Sequence, residues 1–309
     1  MRTYSASYNF PPGFLWGTSK TARSLLDKEN YFYLYQLNDN AINSAAIILN
    51  WADYEPLKNN YEESLIESTR NLLSRFHSSN IEPFVILDSG EIPQWQNLER
   101  TNKYEIFLDA KYNFLIHLAE SIVPYTNIIG IKFPYKSFFS GKLLNSETET
   151  FQNARKYIQS LSSQVKTGPI IPTEVFREKG ERFSLFQKRA DFNALINSEM
   201  DFLGIDADTS AIDTITKAFH KNRCALLIWS DNLSSVSPEM KNDEVINKVY
   251  NIWRCYQQGW KITGYFSEIN LDSESPEKAA FTNICRNNSL ELSTENEYLP
   301  EKWIRFLKD

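Results

Sequence analysis

The chain has 309 residues, 42% of them hydrophobic and 23% charged, with a net charge of −6. That balance builds a large folded core and excludes a disordered chain. The negative charge argues against nucleic acid or an anionic membrane as the main partner, and no apolar run is long enough to span a bilayer.

In chain order, residues 14–18 read as a first strand and 45–50 as a second, followed by a helix over 62–78. A third strand at 83–87 leads to a helix over 103–121, then a fourth strand at 127–133 and a helix over 148–163. In that helix Phe151, Ala154, Ile158 and Leu161 recur at helical spacing and are expected to face the sheet. Strands at 165–170, 201–206 and 225–230 follow, then a helix over 243–258 and a last strand at 262–267. Near-continuous apolar strands separated by helices imply a parallel sheet covered by helices. Eight such units favour an α/β fold closed as a single (β/α)8 TIM barrel over an open doubly wound sheet. Only 10 glycines occur, and no Gly-rich phosphate turn follows any strand, so no nucleotide cofactor is expected. No linker or repeat divides the chain, which reads as one domain over 1–309.

The opening MRTYSASYNFPPGF lacks the basic-then-apolar layout of a secretory signal. Cys224, Cys255 and Cys285 are odd in number and show no metal-ligand spacing. A reduced, cytoplasmic setting is the expectation.

In a barrel the carboxyl ends of the strands line the functional mouth. The residues this selects are Asp53 and Glu55, Asp88 and Glu91, Lys132 and Phe133, Asp206 and Asp208, Asp231, and Glu268. Carboxylates gathered in a cleft raise one another's pKa, which offers an acid beside an ionised partner. A metal is not expected, because hard cations need about six placed oxygens and no ligand loop is present. Lys132 among these acids reads as a salt-bridge partner; a Schiff-base role needs a carbonyl substrate that nothing here identifies. His77, His117 and His220 fall on helix segments without catalytic spacing. Trp16, Trp51 and Trp95 follow the first three strands, where packing is the default and Trp95 is also placed to stack on a sugar.

Several segments, in the right order, resemble the family 1 glycoside hydrolases, the β-glucosidase type. FPPGFLWGTSKTA at 10–22 resembles the family opening, and LNWADYEP at 49–56 its second-strand exit. NIEPFVIL at 80–87 with IPQW at 92–95 resembles G-I-E-P-x-V-T-L-x-H-W-D-x-P-x-W. MDFLGID at 200–206 resembles I-D-F-L-G-I-N, and QQGWKITGYFSEINLD at 257–272 resembles D-G-V-x-V-x-G-Y-F-x-W-S-L-x-D.

The resemblance implies a retaining hydrolase, whose acid/base and nucleophile lie about 5–5.5 Å apart. The family acid/base belongs to T-F-N-E-P; the matching run is Gly130-Ile131-Lys132-Phe133-Pro134, which sets Phe133 at the acid/base position, its ring projecting into the barrel opening. A phenyl ring carries no proton, and losing that transfer costs on the order of 10²–10⁴ in rate. The nucleophile of I-T-E-N-G falls on Asp231, one methylene shorter than Glu. A displacement of about 1 Å costs ~10² on its own. The family's sugar-holding groups become Ser24, Ser89, Gly90, Asp206-Ala207-Asp208 and Glu268.

The expectation is therefore a degenerate family member that has lost ordinary β-glycosidase activity. It would bind a carbohydrate, a small metabolite or a protein partner, through Lys132, Asp88, Glu91, Asp206, Asp208 and Trp95. The alternative is an active O-glycosyl hydrolase or transglycosidase with a rebuilt catalytic pair, Asp231 with Glu268 or Asp206. A purely structural subunit is the third reading. Segments 140–148 and 234–242 look too short for long βα loops, so a shallow mouth is expected.

Overall fold

The computed structural model describes residues 14–26, 30–90, 93–95, 104–172, 175, 190–206, 225–230, 262–267, 271, 278–279 and 281–286. Each predicted strand forms, with bounds shifted by a few residues at most: β1 Leu15–Thr21, β2 Ser44–Asn50, β3 Glu82–Asp88, β4 Ile128–Lys132, β5 Lys166–Ile171, β6 Phe202–Asp206, β7 Ala225–Ser230 and β8 Ile262–Ser267. Neighbours pair in parallel in chain order. β1 also pairs with β8, Gly17 opposite Phe266, so the sheet closes on itself.

The described helices are α1 Ala22–Leu26, α2 Asn30–Asp39, α3 Trp51–Tyr54, α4 Glu63–Ser78, α5 Tyr104–Ile122, α6 Gly141–Leu161 and α7 Ala190–Ile196. Helix α6 corrects two expectations. It begins at Gly141, so the segment 140–148 supplies a helix rather than a loop. The Ser140 hydroxyl caps it by accepting from the Leu143 N–H, and Leu144 anchors its first turns in the core. Leu161 does not face the sheet: it is 42% exposed in the last turn, whereas Phe151, Ala154 and Ile158 are buried as expected.

Two apolar layers result from the alternation of side chains along each strand. One set points outward to the helices and includes Leu49, Val85, Leu87, Ile129, Ile131, Leu203 and Ile205. The other fills the barrel: Leu15, Ala46, Phe84, Ile86, Ile128, Ile170, Phe202 and Phe266. Three phenylalanine rings fit inside because glycines stand opposite them. A Cβ on Gly17 would lie 2.3 Å from the Phe266 ring, one on Gly168 2.2 Å from the Phe202 carbonyl oxygen, and one on Gly130 2.5 Å from Ile170 Cδ1. The interior is a packed plug. Each fully buried apolar side chain in it is worth about 1.5–3 kcal/mol.

Polar groups at the foot of the barrel tie elements together. Glu82, at the start of β3, is buried and accepts from the Asn127 backbone N–H and side-chain amide at 3.3 Å each. Burial pushes its carboxyl up to about 7, against the opposing effect of the Asn127 hydrogen bonds. On the far side, Asp201 accepts from the Thr167 N–H at 2.8 Å and lies 3.7 Å from Arg155 of α6, which also reaches Glu199. Groups at this end of a barrel serve stability.

Candidate functional site

The mouth is built where β2, β3 and β4 end. On β3, Phe84 and Ile86 point into the barrel, so Asp88, two residues further, does too. On β4 the inward series is Ile128, Gly130, Lys132, and Lys132 stands opposite Asp88 in the ladder. The two side chains meet: Lys132 Nζ lies 3.2 Å from Asp88 Oδ2, with 25% and 11% of the side chains exposed. The other carboxylate oxygen accepts from the Gly90 N–H at 2.7 Å, a local turn that fixes the carboxylate. The expected salt bridge of Lys132 is thus present.

Phe133 departs from expectation. Its ring does not project into the opening; it is 1% exposed and packs outward, against Phe138 and against Phe151 of α6. The reason is the two-residue period of a strand: with Lys132 inward, its successor must face the helices. The Phe133 N–H still donates to the Ile170 carbonyl at 3.0 Å, the last rung of the ladder. The β4 exit thus offers the mouth an ammonium, and the ring belongs to the helix layer.

Next to this pair, Asn50 at the end of β2 donates to Asp53 at 3.4 Å, and Asp53 lies 3.4 Å from Arg23 on α1. Glu55 is not a rim acid. It is buried, and its two oxygens accept from the Trp51 indole N–H at 2.7 Å and the Asn59 N–H at 2.8 Å. Trp95 donates its indole N–H to the Glu55 carbonyl at 2.9 Å and meets Trp51 edge-on, so it braces the wall behind the second and third strands. Trp16 and Trp51 lie in the core, as expected of packing residues. Ser89 is fully buried, and its hydroxyl has no hydrogen-bond partner among the described residues.

Asp206 ends β6, its backbone opposite Trp229 of β7. Glu91, Asp208, Asp231 and Glu268 lie outside the described residues. The residues just before the last two are paired, Ser230 of β7 opposite Ser267 of β8. Among the described residues no three His, Cys, Asp or Glu side chains gather closely enough to hold a metal ion. His117 stacks on Tyr61 on the helix surface, and His77 lies in the last turn of α4. The Cys285 thiol is buried, which pushes its pKa up and leaves it unreactive.

One buried ionic feature lies outside the residues that the sequence singles out. Lys111 of α5 and Glu147 of α6 form a salt bridge with 1% and 0% of their side chains exposed. The Lys111 ammonium lies 5.7 Å from the centroid of the Phe133 ring. Helical spacing carried the signal. Glu147 falls three residues after Leu144 and four before Phe151, and Lys111 four before Leu115, each on a buried stripe.

Among the described residues no helix is long and apolar enough to cross a membrane. No family model matches the chain, and no curated protein matches it in sequence. Solved structures do share its fold. A β-glucosidase from Thermotoga maritima in complex with deoxynojirimycin superposes with a TM-score of 0.69 at 11% identity, over 91% of this chain and 99% of that one. The apo β-glucosidase 1317 gives 0.72 at 10% identity, over 88% and 98%. The family 1 β-glucosidase of Exiguobacterium antarcticum B7 gives 0.66 at 12%, over 92% and 100%. The chain therefore has a parallel α/β fold of the β-glucosidase barrel type.

Proposed function

We propose that this chain is a family 1-like (β/α)8 barrel, one domain over 1–309, that binds a carbohydrate or small metabolite at its mouth without ordinary retaining β-glycosidase activity. The supporting observation is the β4 exit, where the residue facing the mouth is Lys132 bound to Asp88. Retaining hydrolysis needs a carboxylic acid beside the leaving oxygen there. An ammonium held by a carboxylate is a poor substitute, because its proton is engaged by a fixed partner. Asp88 offers acceptors and Lys132 donors to adjacent hydroxyls, which suits recognition of a polyol. A cytoplasmic setting belongs to the same reading.

The test is turnover of aryl β-glycosides with good leaving groups, alongside calorimetric binding of the parent sugars. Binding without turnover is expected, weakened at least tenfold by Lys132→Met. Turnover that Asp231→Ala or Glu268→Ala abolishes would replace this reading by the second one, an O-glycosyl hydrolase with a rebuilt pair. The pairing of Ser230 with Ser267 favours that alternative, since these two residues immediately precede Asp231 and Glu268 in the chain.

A further inference from the structure

The buried pair of α5 and α6 sits directly behind the β4 exit. An ion pair removed from water recovers its desolvation cost only in part, and an apolar pair of similar volume is often as stable or more so. Packing alone therefore does not call for charges at Lys111 and Glu147. What they touch does. The Lys111 ammonium faces the Phe133 ring, and Glu147 Oε1 accepts from the Ser137 hydroxyl at 3.5 Å. Both contacts fall on the segment that follows Lys132. Its turn, Tyr135–Phe139, closes on itself through the Ser137 N–H and the Pro134 carbonyl.

We infer that Lys111 and Glu147 are positioning residues for the mouth: gripping Phe133 and Ser137 from the helix layer, they hold the β4 exit so that Lys132 meets Asp88. A ring drawn outward at position 133 leaves position 132 facing inward, because successive side chains of a strand take opposite faces. A loosened ring lets the strand end twist, and the ammonium then leaves the carboxylate. This rests on the proposed reading only in taking Lys132 and Asp88 as the working surface of the mouth.

The experiment follows the Lys132 side-chain nitrogen signal by NMR in the full chain without ligand, assigned through Lys132→Arg. Asp88→Asn defines where the signal moves when the salt bridge is lost. In Lys111→Met, Glu147→Gln and the double variant Lys111→Met with Glu147→Leu, the signal is expected to shift toward the Asp88→Asn position. Arg155→Met removes another buried charge of α6, at the barrel foot, and should lower stability without moving the signal. An unmoved Lys132 signal in any folded pair variant overturns the inference. So does failure of the double variant to fold, since the charges would then serve the fold itself. Because the signal is read without ligand, absence of sugar binding would count against the proposed function and leave this inference standing.

Discussion

Replacing Glu82 by Gln should make the protein more stable at pH 8 and leave it unchanged at pH 4. The carboxyl is buried at the barrel foot, and its pKa is raised from 4.5 to about 7. Below pH 4.5 the folded and unfolded chains both keep the proton, so the group adds no pH dependence. Between there and pH 7 the unfolded chain ionises while the folded chain holds its proton, and stability falls as pH rises. Above pH 7 the deficit is constant, at about 3 kcal/mol from ~1.4 kcal/mol per pKa unit. A glutamine retains an oxygen for the Asn127 donors without a charge to desolvate. Urea unfolding at pH 4 and pH 8 measures the difference directly, and the gain at pH 8 corresponds to a melting temperature higher by about 5 °C for a chain of this size. Equal effects at both pH values, or a loss at pH 8, would refute the reasoning, because the ionised carboxylate would then be stabilising where it sits.

Phe133→Glu should not create a glycosidase: the new carboxylate enters the helix layer, so no aryl glycoside turnover is expected, and soluble yield should fall. Phe133→Ala should cost about 3–5 kcal/mol in urea unfolding through the cavity it leaves. Gly130→Ala should cost about 1–3 kcal/mol by overpacking, with part of the loss recovered by Ile170→Val, which deletes the Cδ1 atom the new methyl meets. Gly168→Ala should be worse than Gly130→Ala in the same assay, since its methyl meets a backbone oxygen that no rotamer change can move. Lys111→Met alone should cost about 3–5 kcal/mol by stranding a buried carboxylate, and the double variant with Glu147→Leu should cost less than this single one.

Strand positions were legible because a run such as Glu82-Pro83-Phe84-Val85-Ile86-Leu87-Asp88 is buried along its whole length. The same property hid which face each residue takes. In a strand covered on both sides, apolar residues occur at every position, and periodicity does not tell inside from outside. Motif matching therefore set Phe133 at the opening, whereas the inward series Ile128, Gly130, Lys132 puts it on the other face. Glycine was the overlooked marker: Gly130 and Gly204 both stand against Ile170, a closeness that identifies the interior face only once the strands are neighbours. The start of α6 was hidden by polar composition. Ser146 resembles a loop residue, yet its hydroxyl donates to the Lys142 carbonyl four residues earlier and leaves the helix intact.

The aromatic plug has a consequence for the two ends of the molecule. Phe84, Phe202 and Phe266 lie between the two ends, and the rise of β3 from Glu82 to Asp88, roughly 20 Å at about 3.3 Å per residue, keeps the ionisable carboxyl far from the ammonium–carboxylate couple. Titration at the foot should change how firmly the chain holds together while leaving the affinity of the opposite end untouched. Stability and recognition are then free to answer to acidity separately.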